Sequence, residues 1–167
     1  EKFFWNFCDN YIEIVKHRLY RPEEFGEKPR YSGQKTIYMI LYKLLQNFSI
    51  FFPFITEEIY HELYHDSVSI HLTEIKPFKF EFYDEVKNGN MIIDIISQIR
   101  GVKTSNSVSL KTPIKDLELS LNKELKAAIN CAIKDFKATL FIQNLSLKEV
   151  PKDYKVDMLK LQLRDDK

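Results

Sequence analysis

Residues 51–60 read FFPFITEEIY, an aromatic and apolar run that meets a proline and then becomes acidic. Proline removes a backbone hydrogen-bond donor and is therefore typical of helix boundaries. We expect Pro53 to end one helix and Thr56 to cap the next, because a threonine hydroxyl can accept hydrogen bonds from the free amides of a first turn. The two glutamates that follow would lie near the positive end of that helix dipole. This joint predicts two consecutive helices.

The composition is that of a folded globular protein, with 44% hydrophobic and 29% charged residues in a chain of 167. Every apolar stretch is interrupted before about 18 residues, so none can cross a bilayer, and we expect no signal peptide. Cys8 and Cys131 stand far apart without a CxxC motif, which predicts reduced thiols. We expect a cytoplasmic monomer without membrane contact.

The distribution of residue types changes along the chain. Of the 23 aromatic residues, 20 precede Asp84. Residues 1–103 hold 13 Lys and Arg against 15 Asp and Glu, whereas residues 104–167 hold 12 against 9. We therefore expect a helical, aromatic-rich domain over 1–103 and a small basic α+β subdomain over 104–167.

Apolar residues of the first part recur at spacings of three and four, which predicts amphipathic helices. The first helix runs from about Phe3 to Tyr20, and a charged loop between Pro22 and Gly33 separates it from the second. Further helices are expected over about 37–48, 56–65 and 84–102, the last of them capped by Asp84. Four such helices joined by modest loops predict a helical bundle, so the fold class is mainly α.

The second part changes its period. Leucines alternate with polar residues over 117–121, which predicts a strand with one buried face. Asn122 is expected to cap a helix that reaches Phe136, and a further strand should begin over 139–142. Alternation over 159–163 predicts a last strand. A strand, a capped helix and more strands form a small α+β subdomain.

Residues 61–65 read HELYH and match the HExxH pattern of zinc hydrolases. On a helix, His61 and His65 could bind zinc while Glu62 acts as a general base, with His71 as a third ligand. The longer zinc-protease pattern needs glycine where Val68 stands, because the chain must reverse sharply there. We therefore favour solvated helix residues over a zinc hydrolase, and we expect no catalytic residue and no metal site in this chain.

Basic residues close to aromatic ones indicate a surface for single-stranded RNA, because cations hold phosphates while rings stack on exposed bases. Tyr20, Phe25 and Tyr31 lie near several cations along the sequence. Any single cation at a helix C-terminus also complements the helix dipole, so clustering is what favours RNA. The candidate RNA-binding residues are Lys16, Arg18, Arg21, Arg30, Lys35, Arg100, Lys103 and Lys111.

Two segments carry a family resemblance. FCDNYIEIVK over 7–16 resembles the opening helix of the anticodon-binding domain of valyl-tRNA synthetases, which are class I aminoacyl-tRNA synthetases. PFITEE over 53–58, followed by SIH over 69–71, is similar to the same family's joint. The order and spacing agree along roughly the first 100 residues. The chain departs from the family at Lys76-Pro77, where Trp-Pro is frequent, and it contains neither an HIGH nor a KMSKS motif.

The resemblance implies a helical bundle that binds the anticodon loop and stem of tRNA(Val). It also implies a longer parent enzyme, a valine-tRNA ligase that uses ATP with magnesium and carries its catalytic domain in the same chain. This region lacks the catalytic and editing domains, so we expect it to hold no cofactor and to be inactive alone. Two alternatives stay open, namely a helical protein-docking domain of a larger enzyme and the same module from an isoleucyl-tRNA synthetase.

Overall fold

A computed structural model describes residues 2–65, 67–77, 81–150 and 162–163. It confirms the predicted class, since helices dominate and a small sheet forms late in the chain. The helical elements are α1 (Lys2–Trp5), a π-helical segment (Asn6–Tyr11), α2 (Ile12–Tyr20), α3 (Pro22–Phe25), α4 (Glu27–Phe48), α5 (Pro53–Tyr64), a 3-10 turn (Ile70–Leu72), α6 (Tyr83–Ser105), α7 (Lys123–Cys131) and α8 (Ile133–Leu140). The strands are β1 (Ile114–Leu121), β2 (Ile142–Glu149) and β3 (Gln162–Leu163). Among the described residues, every helix is too short or too polar to span a lipid bilayer.

The chain forms two compact units, one of residues 1–21 with 82–167 and one of residues 22–81. The boundary expected between 103 and 104 does not separate them. Isoleucines of α6 share one hydrophobic core with leucines of the sheet and of α7, so α6 belongs with the sheet. The buried members of this core include Ile92, Ile95, Ile96, Ile99, Leu117, Leu119, Leu121 and Leu125.

The first unit begins with a helical stretch that runs without a break from Lys2 to Tyr20, which confirms the prediction for this segment. Its middle turn is π-helical, and Phe7, Val15 and His17 are its buried residues. His17 meets the ring of Phe141 edge to face, with centroids 5.8 Å apart. Helix α2 therefore packs on the α8 end of the unit.

The sheet has the order β2-β1-β3, with β2 parallel and β3 antiparallel to β1. Strand β1 and the cap of α7 were predicted correctly, since the Asn122 Oδ1 accepts a hydrogen bond of 2.8 Å from the Leu125 amide. Strand β2 begins later than expected because α8 continues to Leu140 and ends where Phe141 adopts a left-handed backbone, φ 58°. Of the last predicted strand, only Gln162–Leu163 lies within the described residues.

In the second unit the loop expected between Pro22 and Gly33 is helical instead. Pro22 opens α3, and Pro29 lies in the first turn of α4, where a helix does not need the missing amide. The break between these helices falls at Gly26, whose φ of 95° suits glycine. The loop prediction was wrong because both prolines occupy helix starts.

The joint at Pro53 also differs from the prediction. Pro53 is the first residue of α5, so it begins this helix, and α4 has already ended at Phe48. Thr56 lies inside α5 and does not cap it. Its hydroxyl donates to the carbonyl of Phe52 over 2.8 Å. Proline at the first helical position needs no partner for its nitrogen, so the helix starts at Pro53 and not after a threonine cap at Thr56.

Candidate nucleic-acid interface

The structure places the eight predicted cations in very different surroundings. Lys103 is fully buried in the first unit. Its ammonium donates to three carbonyl oxygens, those of Thr112 at 2.7 Å, Leu110 at 3.0 Å and Leu140 at 3.1 Å. Burial lowers the pKa of Lys103 to about 8, with a smaller contribution from Arg100. Lys103 anchors the segment after α6 and is not accessible to a phosphate, which corrects the sequence-based assignment.

Arg18 is likewise engaged inside the first unit. Two nitrogens of its guanidinium donate hydrogen bonds to the carboxylate of Asp135 on α8, with a distance of 2.9 Å between Nε and Oδ1. Only 23% of the Arg18 side chain and 9% of the Asp135 side chain are exposed. A bidentate pair of this kind fixes both side chains. The role of Arg18 is thus to join α2 to α8, and its assignment to RNA is not supported by this geometry.

The remaining six candidates keep contact with solvent. Lys16 forms an ion pair with Glu13, and Arg30 lies 3.7 Å from Glu27, each within its own helix. Surface pairs of this kind are weak, so a phosphate can replace the carboxylate.

The other four candidates differ in exposure. Three are exposed, namely Arg21, Lys35 and Lys111, whereas Arg100 is half-buried. Arg30 and Lys35 belong to the second unit and the others to the first.

The second unit carries a group of rings that we call the tyrosine cluster, consisting of Tyr38 and Tyr42 on α4 and Tyr60 and Tyr64 on α5. The ring centroids of Tyr38 and Tyr64 are 4.4 Å apart, and those of Tyr42 and Tyr64 are 5.2 Å apart. The Tyr64 hydroxyl donates to the carbonyl of Tyr38 over 2.6 Å. Burial, with the neighbouring Tyr38 and Tyr42, raises the pKa of Tyr64 to about 12.

Beside these rings lies an open depression of about 320 Å³, lined by Tyr38, Met39, Tyr42, Lys43 and Tyr64. The ammonium of Lys43 lies 5.6 Å from the centroid of the Tyr42 ring and donates to Gln46 Oε1 over 3.0 Å. Gln46 is buried and its amide nitrogen donates to Thr73 and to the carbonyl of Glu74. The side of the depression that bears Lys43 is therefore cationic and firmly held.

The tyrosine cluster is a feature that the sequence did not predict. The signal was present, because tyrosines recur at a spacing of four both at 38 and 42 and at 60 and 64. What the sequence did not reveal is that α4 and α5 pack with these two pairs against each other. Only the packing of the two helices makes one aromatic surface from two ordinary spacings.

Glu57, in the PFITEE segment, holds the turn that follows α5. Its Oε2 accepts from the Ser69 hydroxyl and from the Ile70 amide, both over 3.0 Å. Its Oε1 lies 3.0 Å from the His61 ring. Burial acts to raise the pKa of Glu57, but the hydrogen bonds from Ser69, Ile70 and His61 outweigh it and leave that pKa below its usual value. The PFITEE and SIH segments are thus joined by a tertiary contact, that of Glu57 with Ser69 and Ile70.

The histidines of the HELYH motif do not converge on a site. His61 is engaged with Glu57, His65 follows the end of α5 with a left-handed φ of 49°, and the ring of His71 lies 3.4 Å from the carbonyl of Pro53. Within the described part of the chain, no three His, Cys, Asp or Glu residues are grouped so that they could hold a metal ion. A zinc hydrolase therefore gains no support.

The second unit also displays an apolar run, which we define as residues 50–55. It includes Phe54, which is 90% exposed, and its neighbours Ile50, Phe51, Phe52 and Ile55 are more than half exposed. Soluble proteins rarely leave so many large apolar side chains together in water unless another surface covers them. The run carries no charge, so it is unsuited to a phosphate backbone.

Comparison with known proteins gives a consistent result. A family model described as the anticodon-binding domain of tRNA ligase matches residues 1–119. The chain is 33% identical over 150 residues to the valine–tRNA ligase of Picrophilus torridus, which is 88% of this chain and 18% of that protein. It is 38% identical over 146 residues to the valine–tRNA ligase of Rickettsia akari, which is 86% of this chain and 18% of that protein. It is 34% identical over 164 residues to that of Rickettsia prowazekii, which is 95% of this chain and 19% of that protein. The chain spans about a fifth of the length of these relatives.

Proposed function

We propose that this chain, which belongs to the family of anticodon-binding domains of tRNA ligases, binds the anticodon loop and stem of tRNA(Val) within a valine–tRNA ligase. The family match over residues 1–119 carries the proposal. The choice of tRNA(Val) is supported by the three relatives above, each of which is named valine–tRNA ligase. Those names give no support to the isoleucyl alternative.

The surface of the second unit supports RNA as the ligand. Tyr31, Lys35, Tyr38 and Tyr42 recur on α4 at spacings of four, three and four, so they lie along one side of this helix. Aromatic rings alternating with a cation are what a single-stranded RNA loop requires, since bases stack on the rings while the cation neutralises phosphate. In the first unit, Arg21 and Lys111 offer further exposed charge for backbone contacts.

The chemistry of aminoacylation belongs, in this proposal, to the rest of the longer protein. We assign ATP and magnesium to that part, because the relatives of which this chain covers about a fifth are named valine–tRNA ligases. The apolar run over 50–55 supports a covalently linked catalytic region as a partner, since contact with it would remove these rings from water. The chain alone should transfer no valine to tRNA, and it would act in the cytoplasm, where tRNA is charged.

Filter binding tests this function. The 167-residue chain should retain tRNA(Val) more strongly than the same tRNA with its anticodon bases replaced, because contacts to unstacked bases carry the sequence information. Affinity will be moderate, since contacts of the absent domains are lost. Equal retention of the two RNAs across salt concentrations would reduce the interaction to nonspecific charge and contradict the proposal.

A further inference from the structure

We propose that the depression beside the tyrosine cluster is a stacking site for one unpaired nucleobase of RNA. The inference rests on the proposed function and deepens it, because it assigns a base-binding site to particular side chains. All five lining residues, Tyr38, Met39, Tyr42, Lys43 and Tyr64, lie within the second unit. The site is therefore complete within one compact part of the chain.

The shape of the depression fits a flat heteroaromatic ring. The three lining rings do not stack on one another, since Tyr38 and Tyr64 are inclined by 47° and Tyr42 and Tyr64 by 66°. Tyr64 stacks instead on Tyr60, at an interplanar angle of 21°. Tyr38 keeps 51% of its surface exposed, which leaves ring area available for stacking. The volume of about 320 Å³ lies at the lower end of the range for small-molecule sites, which suits a single base with its sugar.

Charge favours a nucleotide over an uncharged aromatic ligand. The walls are formed mostly by rings and Met39, and the cation beside them is Lys43, held against Tyr42 and Gln46. A base on the rings would bring its phosphate toward this ammonium. A neutral aromatic side chain from another protein would gain the stacking but would make no use of the charge.

The neighbourhood of the depression supplies a path for the flanking nucleotides. Tyr31 and Lys35 precede Tyr38 on the same side of α4, and Tyr31 is 65% exposed. With a rise of about 1.5 Å per residue, Tyr31 and Tyr42 are separated by roughly 16 Å along the helix. A stretch of single-stranded RNA that follows this side of α4 can therefore place one base in the depression and another near Tyr31.

The test uses a single-stranded RNA hexamer that carries 2-aminopurine, a fluorescent base, at one central position. Stacking on tyrosine should quench its emission when the 167-residue chain is added. The variant Tyr38→Leu should bind the hexamer about tenfold more weakly, in keeping with the known contribution of aromatic stacking per base. The matched control is Tyr83→Leu, since Tyr83 is 76% exposed but lies at the start of α6 in the other unit. It should bind as the native chain does.

A second measurement removes any dependence on how the variants fold. In NMR spectra of the native chain, the hexamer should shift the ring protons of Tyr38, Tyr42 and Tyr64 and leave those of Tyr83 unchanged. The site is refuted if these three rings show no shift at about 1 mM hexamer, or if Tyr38→Leu, folded by circular dichroism, binds within twofold of native.

The same reagents separate the site from the function. If Tyr38→Leu still distinguishes tRNA(Val) from its anticodon-altered form as well as the native chain does, the base site is wrong and anticodon binding stands. If the hexamer binds through the three rings while the two tRNAs are bound equally, the site stands and the valine-specific function fails.

Discussion

Replacing Arg18 by methionine should destabilise the protein without weakening RNA binding by the folded molecules. Arg18 was a candidate phosphate ligand by sequence, but its guanidinium is committed to Asp135. Methionine keeps much of the length and apolar stem of arginine while removing the charge. The variant therefore distinguishes a residue that joins α2 to α8 from one that holds a tRNA backbone.

The magnitude follows from the burial of the pair. Asp135 is 6% exposed, so removal of its partner leaves a carboxylate that water cannot rehydrate well. Breaking such a pair costs about 3–5 kcal/mol. Because Arg18 itself retains 23% exposure of its side chain, we take the lower end, about 3 kcal/mol. For a chain of this length that corresponds to a fall in Tm of about 6–12 °C.

Urea denaturation followed by circular dichroism measures the loss. Lys28→Met is the control, since Lys28 is exposed in the first turn of α4 and its replacement should change stability by less than about 0.5 kcal/mol. The double variant Arg18→Met with Asp135→Leu should recover most of the loss, because apolar side chains can replace a buried pair nearly neutrally. Native stability of Arg18→Met, or lowered tRNA affinity of the folded variant, would refute the assignment.

Three further outcomes are expected. The unfolded chain keeps the Lys103 proton up to its ordinary pKa near 10.5, whereas the folded chain releases it near 8. Between pH 8 and 10.5 the native protein should therefore gain about 3 kcal/mol of stability relative to Lys103→Met, measured by urea denaturation. An unchanged difference would argue against burial of this ammonium. Lys35→Ala should weaken tRNA binding for all sequences and reduce the salt slope by about one unit, whereas Lys103→Met should leave the slope unaltered. Glu57→Ala should speed hydrogen exchange of the Ile70 amide, and equal exchange rates would show that the carboxylate does not hold this turn.

Local sequence patterns predicted those features whose causes are local. The period of apolar residues predicted α6 and the part of α4 from residue 37 onward, alternation predicted β1, and Asn122 caps α7 as expected because capping requires only the next three residues. The errors at Pro53 and Pro29 are also local in origin, since proline ends a helix when it stands inside one and starts a helix when it stands in the first turn.

Long-range packing decided what the sequence did not predict. In the sequence, a lysine that binds phosphate cannot be distinguished from one that is buried. Lys103 is of the second kind, because its ammonium donates to the carbonyls of residues 110, 112 and 140. Arg18 meets a carboxylate 117 residues away. The tyrosine cluster likewise needs two helices in contact. Candidate cations could therefore be named from sequence, but their availability required the fold.

Footprinting tests the central claim most directly, namely that this chain recognises the anticodon end of tRNA(Val). Hydroxyl radicals cleave accessible sugars along the whole tRNA, so one experiment locates every region that the 167-residue chain protects. We predict protection of the anticodon loop and the adjoining stem, with the acceptor stem cleaved as in free tRNA. Protection spread evenly over the molecule, or confined to the acceptor end, would contradict the account.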